Sequence, residues 1–229
     1  MENEITAIIP TRSGSERVKN KNTRPFAGKS LLQIKIDKLV KLRESGYIHK
    51  IVVNTNCKKS IQIAKKYNLS IVIRDEYYAS SDCPINEYWK EVLTKSIGTK
   101  YSMLCQVTSP LIKLESFKKC LNIFNKTNKP IMTVDPIKDY LWRTDRGKLY
   151  PANYNYPHHP KSQNLDKKFF RINFGVVIIS KDDLIKYNNI MTPITTCIDL
   201  NHEESIDIDD DIDFKLAELI YLKNHSLNY

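Results

Sequence analysis

No apolar run approaches the roughly 18 to 20 residues that a membrane-spanning helix needs. The amino terminus, MENEITAIIP, is acidic, and its apolar stretch is too short for a secretory core, so no targeting segment is expected. CxxC pairs and Cys/His clusters at metal-ligand spacing are missing, which argues against a zinc site. The five cysteines, Cys57, Cys83, Cys105, Cys120 and Cys197, are odd in number and scattered. Without an export signal they are expected to be free, buried thiols in a reducing cytoplasm. Histidine is scarce, and no Ser/His/Asp arrangement stands out. Internal repeats and low-complexity linkers are also lacking.

What is present is ordinary globular material. The chain has 229 residues, 41% hydrophobic and 27% charged, which excludes a disordered chain and suits one domain of 1–229. Lys and Arg total 36 against 26 Asp and Glu, a net charge of +10. The cations are dispersed, with no block of five or six. Nucleic-acid and membrane binding are therefore not expected, and a small anionic ligand is.

Short apolar runs at 5–10, 50–55, 69–74, 101–107 and 130–135 read as buried strands. Helical patterns lie between them at 30–45, 58–67, 84–97 and 114–127. Leu32, Ile36, Leu39 and Val40 have the spacing of one buried helix face. This alternation predicts an α/β fold with a mainly parallel sheet and helices on both faces. Ligands of such folds sit at the edge where the strands end. FGVVII (174–179) resumes the core, and a helix is expected at 210–224.

Residues 136–170 break the pattern. They hold Tyr140, Trp142, Tyr150, Tyr154, Tyr156, His158, His159 and four prolines without a clear period. The segment reads either as an arm covered by a second copy or as a lid over the site.

Directly after the first strand comes Thr11-Arg12-Ser13-Gly14-Ser15-Glu16-Arg17-Val18-Lys19-Asn20-Lys21-Asn22. Small residues let the backbone approach an anion, and N–H groups with Arg and Lys can cradle phosphates. Gly28-Lys29-Ser30 imitates the end of a nucleotide-binding P-loop. Position 23 is Thr where that motif needs Gly, and the strand ends far upstream at Pro10. Ser30 is instead a candidate N-cap. Near the carboxyl end, Asp207, Asp209, Asp210, Asp211 and Asp213 fall together. If 204–208 ends a strand, Asp207 and Asp209 share a side, which suits Mg²⁺, while Asp210 and Asp211 support a helix N-terminus.

The segment IPTRSGSERVKNKNTRPFAGKSLL resembles the opening signature of the acylneuraminate cytidylyltransferases. Arg74–Asp82 (RDEYYASSD), Gln106–Leu111 (QVTSPL) and Ser205–Asp209 (SIDID) with Asp213 resemble three further motifs of that family, in order. The resemblance implies a doubly wound, Rossmann-like nucleotidyltransferase that dimerises through an arm, here 136–170. It implies cytidylyl transfer from CTP to an acidic sugar such as a sialic, legionaminic, pseudaminic or Kdo-like acid, with Mg²⁺ as cofactor. Arg12, Ser13, Gly14, Ser15 and Lys21 would hold the triphosphate. Asn22 and Arg74 would contact ribose or cytosine, Ser81 would read the base edge, and Asp207 and Asp209 would hold the metal. Gln106, Arg171 and Asn173 would serve the acceptor, with Arg12, Lys21 and Gln106 acting in catalysis.

The sequence departs from the family at Glu16, where Lys is usual, and at Ile112, where Arg is usual. Ser162 stands where an acid-binding Arg is expected, and Arg171-Ile172-Asn173-Phe174-Gly175 is one residue longer than the family's RPNG. Ile190-Met191 replaces an aromatic pair. The nucleotide half of the resemblance is thus closer than the acceptor half.

Overall fold

The computed structural model describes residues 4–14, 17–95, 99–165 and 169–226. Strand β1 (Ile5–Thr11) is buried throughout. A short hairpin, β2 (Pro25–Phe26) and β3 (Lys29–Ser30), turns on Ala27 and Gly28, both at positive φ. It leads into α1 (Leu31–Glu44). Ser30 caps this helix with Gln33 in a reciprocal capping box, so the P-loop mimic is a helix start, as expected.

β4 (Lys50–Thr55), α2 (Lys58–Lys66), β5 (Ser70–Ile73), the single turn α3 (Glu76–Ala79) and α4 (Ile85–Thr94) follow. Then come β6 (Tyr101–Leu104), α5 (Leu114–Thr127) and β7 (Ile131–Pro136). β6 stops at Leu104, three residues earlier than expected, so Cys105–Lys113 forms the loop that faces the ligand edge.

Seven strands form one sheet in the order β11-β7-β10-β6-β1-β4-β5, where β10 is Phe170–Ser180 and β11 is Thr196–Asp199. Only β10 runs against its neighbours, β6 and β7; the other pairings are parallel. Side chains alternate across β1. Ile5, Ala7 and Ile9 enter the core under α1 and α5, whereas Ile8 meets Trp89, Val92 and Leu93 of α4 on the other face. The mainly parallel, two-sided α/β expectation holds.

From β1 the chain moves outward through β4 and β5, then returns to place β6 on β1's other side. The loops after β1 and β6 therefore diverge, and a crevice opens between them at the carboxyl ends of the strands. Open α/β sheets bind ligands at such a reversal.

The last helix, α7 (Asp211–Ser226), is fastened beside that crevice. Phe26 packs edge-on against Phe214 and Tyr221, at ring-centroid distances of 5.3 and 5.5 Å. The Ala27 N–H donates to Glu218 Oε1 at 2.7 Å. Truncating a buried Phe of this kind costs about 3–5 kcal/mol. The hairpin thereby fixes where the acidic segment ahead of α7 lies.

Residues 136–170 are partly built. β8 (Trp142–Asp145) and β9 (Lys148–Pro151) form an exposed hairpin. Tyr140, Tyr154 and His159 make a small aromatic cluster with Trp142. The cysteine expectation needs correction. All five are free, but only Cys105 and Cys120 are buried; Cys197 is exposed and the other two are intermediate. Burial pushes the Cys105 and Cys120 thiols up to about 12, so both stay neutral.

Candidate active site

A cavity of about 500 Å³ occupies the crevice. Its walls are the end of β1 with the following loop to Asn22, the segment from Arg74 to Cys83 with Tyr88, and Gln106–Thr108 after β6. Arg12, Lys21, Asn22, Arg74, Ser81 and Gln106 all line it. Three stretches that are far apart in sequence thus converge where the resemblance places a nucleotide.

Arg74 is the most constrained of these. It is only 3% exposed. One guanidinium nitrogen donates to the Thr11 carbonyl, and the cation lies 5.2 Å from the Tyr88 ring centroid. Nε and Nη1 are buried with no hydrogen-bond partner. A buried donor left unpaired costs about 1–3 kcal/mol, so the wall carries donors that a bound acceptor atom would satisfy. Arg12 is held by a 2.9 Å bond to the Ala79 carbonyl.

Other members of the loop hold the loop itself. The Asn22 amide donates to the Arg12 carbonyl at 3.1 Å. The Ser13 N–H donates to Asn56 Oδ1 at 3.0 Å, and the Asn56 amide returns a 2.9 Å bond to Ser13 Oγ. Gly14 sits at φ +73° with open space around it, a backbone setting that suits glycine. Ser15 and Glu16 lie outside the described residues.

The acidic segment differs from the expectation. Residues 201–210 contain no strand, so Asp207 and Asp209 do not share a pleated face. The Ile208 N–H donates to the Thr108 carbonyl at 2.9 Å, and Lys21 Nζ donates to the Ile208 carbonyl at 2.6 Å. These two bonds fasten the segment to two residues that line the cavity. The Asp207 carboxylate turns inward, and its buried Oδ1 has no partner. Burial raises its pKa, the Thr108 side chain opposes that rise, Asp209 adds to it and Lys21 opposes it. Asp209 points outward, 2.7 Å from the Arg17 guanidinium. Burial lowers the Lys21 pKa while Asp207 and Asp209 both raise it, so Lys21 is the charge that the two acids share.

Asp210 and Asp213 form the cap of α7. Asp210 Oδ1 accepts from the Ile212 and Asp213 N–H groups at 2.8 and 2.9 Å, and Asp213 Oδ2 accepts from those of Asp209 and Asp210. Asp211 pairs with Arg24 at 2.7 Å. Asp210 thus serves the helix start as expected, with Asp213 as the second capping acid, whereas of the expected inner pair only Asp207 turns inward.

Arg171 and Asn173 are not among the residues that line the cavity. Exposed Arg171 binds Asp135 Oδ2 through Nη2 at 2.7 Å and Nε at 3.1 Å. Asn173 is buried in a network with Thr133, Asp135 and the Gly175 N–H. Tyr88 under Arg74 was not legible in the sequence, because an aromatic next to Trp89 on a helix reads as core.

The fold and the cavity define a nucleotidyltransferase-type α/β protein. Comparison with known proteins adds the family. A family model described as cytidylyltransferase matches residues 6–169, most of the chain, and the chain belongs to that family. The N-acylneuraminate cytidylyltransferase of Escherichia coli O18:K1:H7 is 29% identical, over 98% of this chain and 54% of the relative. The CMP-N,N'-diacetyllegionaminic acid synthase of Legionella pneumophila is 28% identical, over 93% of this chain and 94% of the relative. The chain thus spans about half the length of the first relative and nearly all of the second. A pseudaminic acid cytidylyltransferase of Campylobacter jejuni is 24% identical, over 95% and 96%. Among solved structures, a CMP:2-keto-3-deoxy-manno-octonic acid synthetase complexed with CTP aligns with a TM-score of 0.69 at 12% identity, covering 97% of this chain and all of that one. The 4-diphosphocytidyl-2C-methyl-D-erythritol synthase of Anaerococcus prevotii aligns with a TM-score of 0.65 at 17% identity, again over 97% and 100%. At these identities the two structures show the fold alone. No helix among the described residues is long and apolar enough to cross a membrane.

Proposed function

We propose that this chain transfers the cytidylyl group of CTP to an acidic sugar of the nonulosonic or ulosonic class, for surface glycan biosynthesis in the cytoplasm. The observation that carries this reading is the cavity at the strand-order reversal. It is lined by Arg12, Lys21 and buried Arg74 with its unpartnered donors, and the segment that carries Asp207 is bonded to its lining residues Lys21 and Thr108. The named relatives, which act on sialic, legionaminic and pseudaminic acids, support the acceptor class.

In the proposed reaction an acceptor hydroxyl oxygen attacks the α-phosphorus of CTP. That O–P bond forms, the bond to the bridging oxygen breaks, pyrophosphate leaves with the electron pair, and the hydroxyl proton is lost. Little covalent work falls to the protein, so positioning and charge dominate. Arg12 and Lys21 lie where they can offset the triphosphate charge, and Arg74 offers Nε and Nη1 to ribose or base oxygens. Gln106, which lines the cavity, would orient the acceptor.

The donor set fits Mg²⁺, a hard cation satisfied by few carboxylates plus phosphate and water oxygens: Asp207 supplies a buried, unpartnered oxygen and Asp209 an exposed one. When bound there, the ion would supply positive charge to the phosphate oxygens. Asp209 would exchange its Arg17 contact for the ion, a small cost because that pair is exposed.

The reading is tested by pyrophosphate release with each nucleoside triphosphate, Mg²⁺ and a panel of acidic sugars. CTP should be strongly preferred; equal release with UTP would refute it. We include in the proposal a homodimer joined through 136–170, motivated by exposed Trp142, Tyr150 and Tyr156. A monomer mass by light scattering at micromolar concentration would refute that part.

A further inference from the structure

Two lysines of α1 lie where helix periodicity does not put cations. Lys35 is fully buried, and Lys38 is buried more deeply than a surface lysine. Their ammonium groups turn towards the loop that follows β6. Lys35 Nζ donates to the Ser109 carbonyl at 3.0 Å, and Lys38 Nζ donates to the Pro110 and Ile112 carbonyls at 2.5 and 2.7 Å. Lys35 also sits 5.2 Å from the Phe117 ring centroid on α5. A desolvated ammonium is costly unless bonded, and so are three inward-facing carbonyls. Each side therefore satisfies the other, and the loop has little freedom to move away from α1.

The clamped stretch continues directly into the active-site wall. Residues 109–112 follow Gln106–Thr108, which line the cavity. The Thr108 carbonyl accepts the Ile208 N–H, the bond that holds the segment carrying Asp207 and Asp209. Hydrogen bonds at both ends of the 108–112 backbone thus link α1 to the segment that carries the acids. None of these lysine atoms faces the nucleotide side of the cavity.

We infer that Lys35 and Lys38 are positioning residues that hold the Gln106–Thr108 wall, and through Thr108 the Asp207–Asp209 segment, in register with the nucleotide pocket. This inference rests on the proposed cytidylyl transfer for its kinetic readout, but not for its structural one. The wall that meets CTP through Arg12, Asn22 and Arg74 is built on β1 and the segment after β5, which the lysines do not touch. Losing the clamp should therefore affect turnover and metal use much more than CTP affinity.

The test uses Lys35→Met and Lys38→Met, which keep most of the volume and remove the donors, with Lys38→Arg as a variant that keeps donors. Hydrogen exchange of the full chain, without ligand, reads the Ile208 amide. It should exchange about 10- to 100-fold faster in the Met variants, the loss expected when bonds from a charged donor are removed. Exchange in the β1 amides should not change. In pyrophosphate release, kcat should fall about tenfold or more and the Mg²⁺ concentration for half-activity should rise, with KM for CTP within about twofold of wild type. Lys38→Arg should recover part of the Ile208 protection. If the Met variants fold but Ile208 exchanges at the wild-type rate, or if KM for CTP rises as much as kcat falls, the inference is wrong. If a Met variant does not fold, the Lys38→Arg exchange decides, and wild-type protection in Lys38→Ala at the same site would also overturn it. A wild-type chain inactive with CTP would refute the proposed function and leave the exchange result standing on its own.

Discussion

Stability should rise with pH between about 7 and 9, because of Lys35 and Lys38. Burial lowers Lys35 from 10.5 to about 8 and Lys38 to about 7. For Lys35 the nearby Cys105 and Asp207 offset part of that burial effect. Lys38 is lowered further by Lys35 and Lys41 and raised by Glu204. The folded-state values lie below the unfolded ones. Between the two, the unfolded chain binds more protons than the folded chain, so stability increases with pH. From pH 7 to 9, Lys38 spans about two units and Lys35 about one, each unit about 1.4 kcal/mol if the sites were independent. The two repel each other and titrate as a pair, which reduces the total to about 2–4 kcal/mol. For a chain of this size that is a rise of very roughly 5–15 °C in melting temperature. From about pH 9 the buried thiols oppose the lysines, and the sign reverses only towards about pH 10. Cys105 and Cys120 stay protonated to about 12 when folded but ionise earlier when unfolded. The assay is thermal or urea unfolding at pH 6, 7, 8 and 9. The net charge of +10 also falls over this range, which by itself favours the folded state. The Lys35→Met/Lys38→Met double variant removes that ambiguity, since it keeps nearly all of the net charge. The wild type should gain at least about 2 kcal/mol more than this variant between pH 7 and 9. Parallel pH profiles for the two proteins would refute the reasoning.

Asp207→Asn should nearly abolish pyrophosphate release and Asp209→Asn should weaken it strongly, whereas Asp211→Asn should lose little activity. Asp210→Ala should lower stability by about 0.5–2 kcal/mol through the lost cap, with Asp210→Asn much milder; a Mg²⁺ titration and unfolding curves check both. Gly175→Ala should destabilise by about 1–3 kcal/mol, because a Cβ there would lie 2.4 Å from Ile112 Cδ1 and 3.0 Å from Thr133 Oγ1. Ile112→Val in the same chain should recover part of that loss, and no recovery would place the clash on Thr133 instead. Arg171→Met should leave melting unchanged, since its ion pair is exposed. Asn173→Ala should cost about 1–3 kcal/mol by orphaning the Thr133 hydroxyl and Asp135; the reverse pattern would refute this assignment.

Much of the fold was legible because its signals are local. The apolar strands, the Ser30 cap and the Asp210/Asp211 helix start are all set by near neighbours in the chain. The loop after β1 was legible for the same reason, since its small and cationic residues are contiguous. What was not legible depends on contacts between distant segments. β6 ends at Leu104, and the loop after it is held further on by Lys35 and Lys38 at the Ser109, Pro110 and Ile112 carbonyls, while nothing in the residues 101–107 records a partner on α1. A lysine between Ile34 and Ile36 reads as a break in an apolar face rather than a buried donor. Asp207 and Asp209 were paired by an assumed pleat. In the structure the pairing comes from Lys21, nearly two hundred residues upstream. Asn173 was read as an acceptor contact, yet its amide closes an internal network at the bend where β10 loses register with β7.

The division between fixed and open polar groups explains why the nucleotide half was the more legible of the two. Asn22, Ser13 and Lys21 have bonds inside the protein, so their positions are set before any ligand arrives. Arg74 Nε and Nη1 and Asp207 Oδ1 are buried without partners, one cationic and one anionic, the first in the cavity wall and the second on the segment bonded to cavity-lining Lys21 and Thr108. A fold keeps such costly groups where a ligand repays them, and a polar ligand that carries both acceptors and a recruited cation can satisfy both at once. Arg171 has no comparable constraint. It is exposed, and the Asp135 contact that holds it contributes little, so its position is only weakly set. Preorganised groups leave a sequence motif because their neighbours must also be specified. An adjustable surface arginine does not.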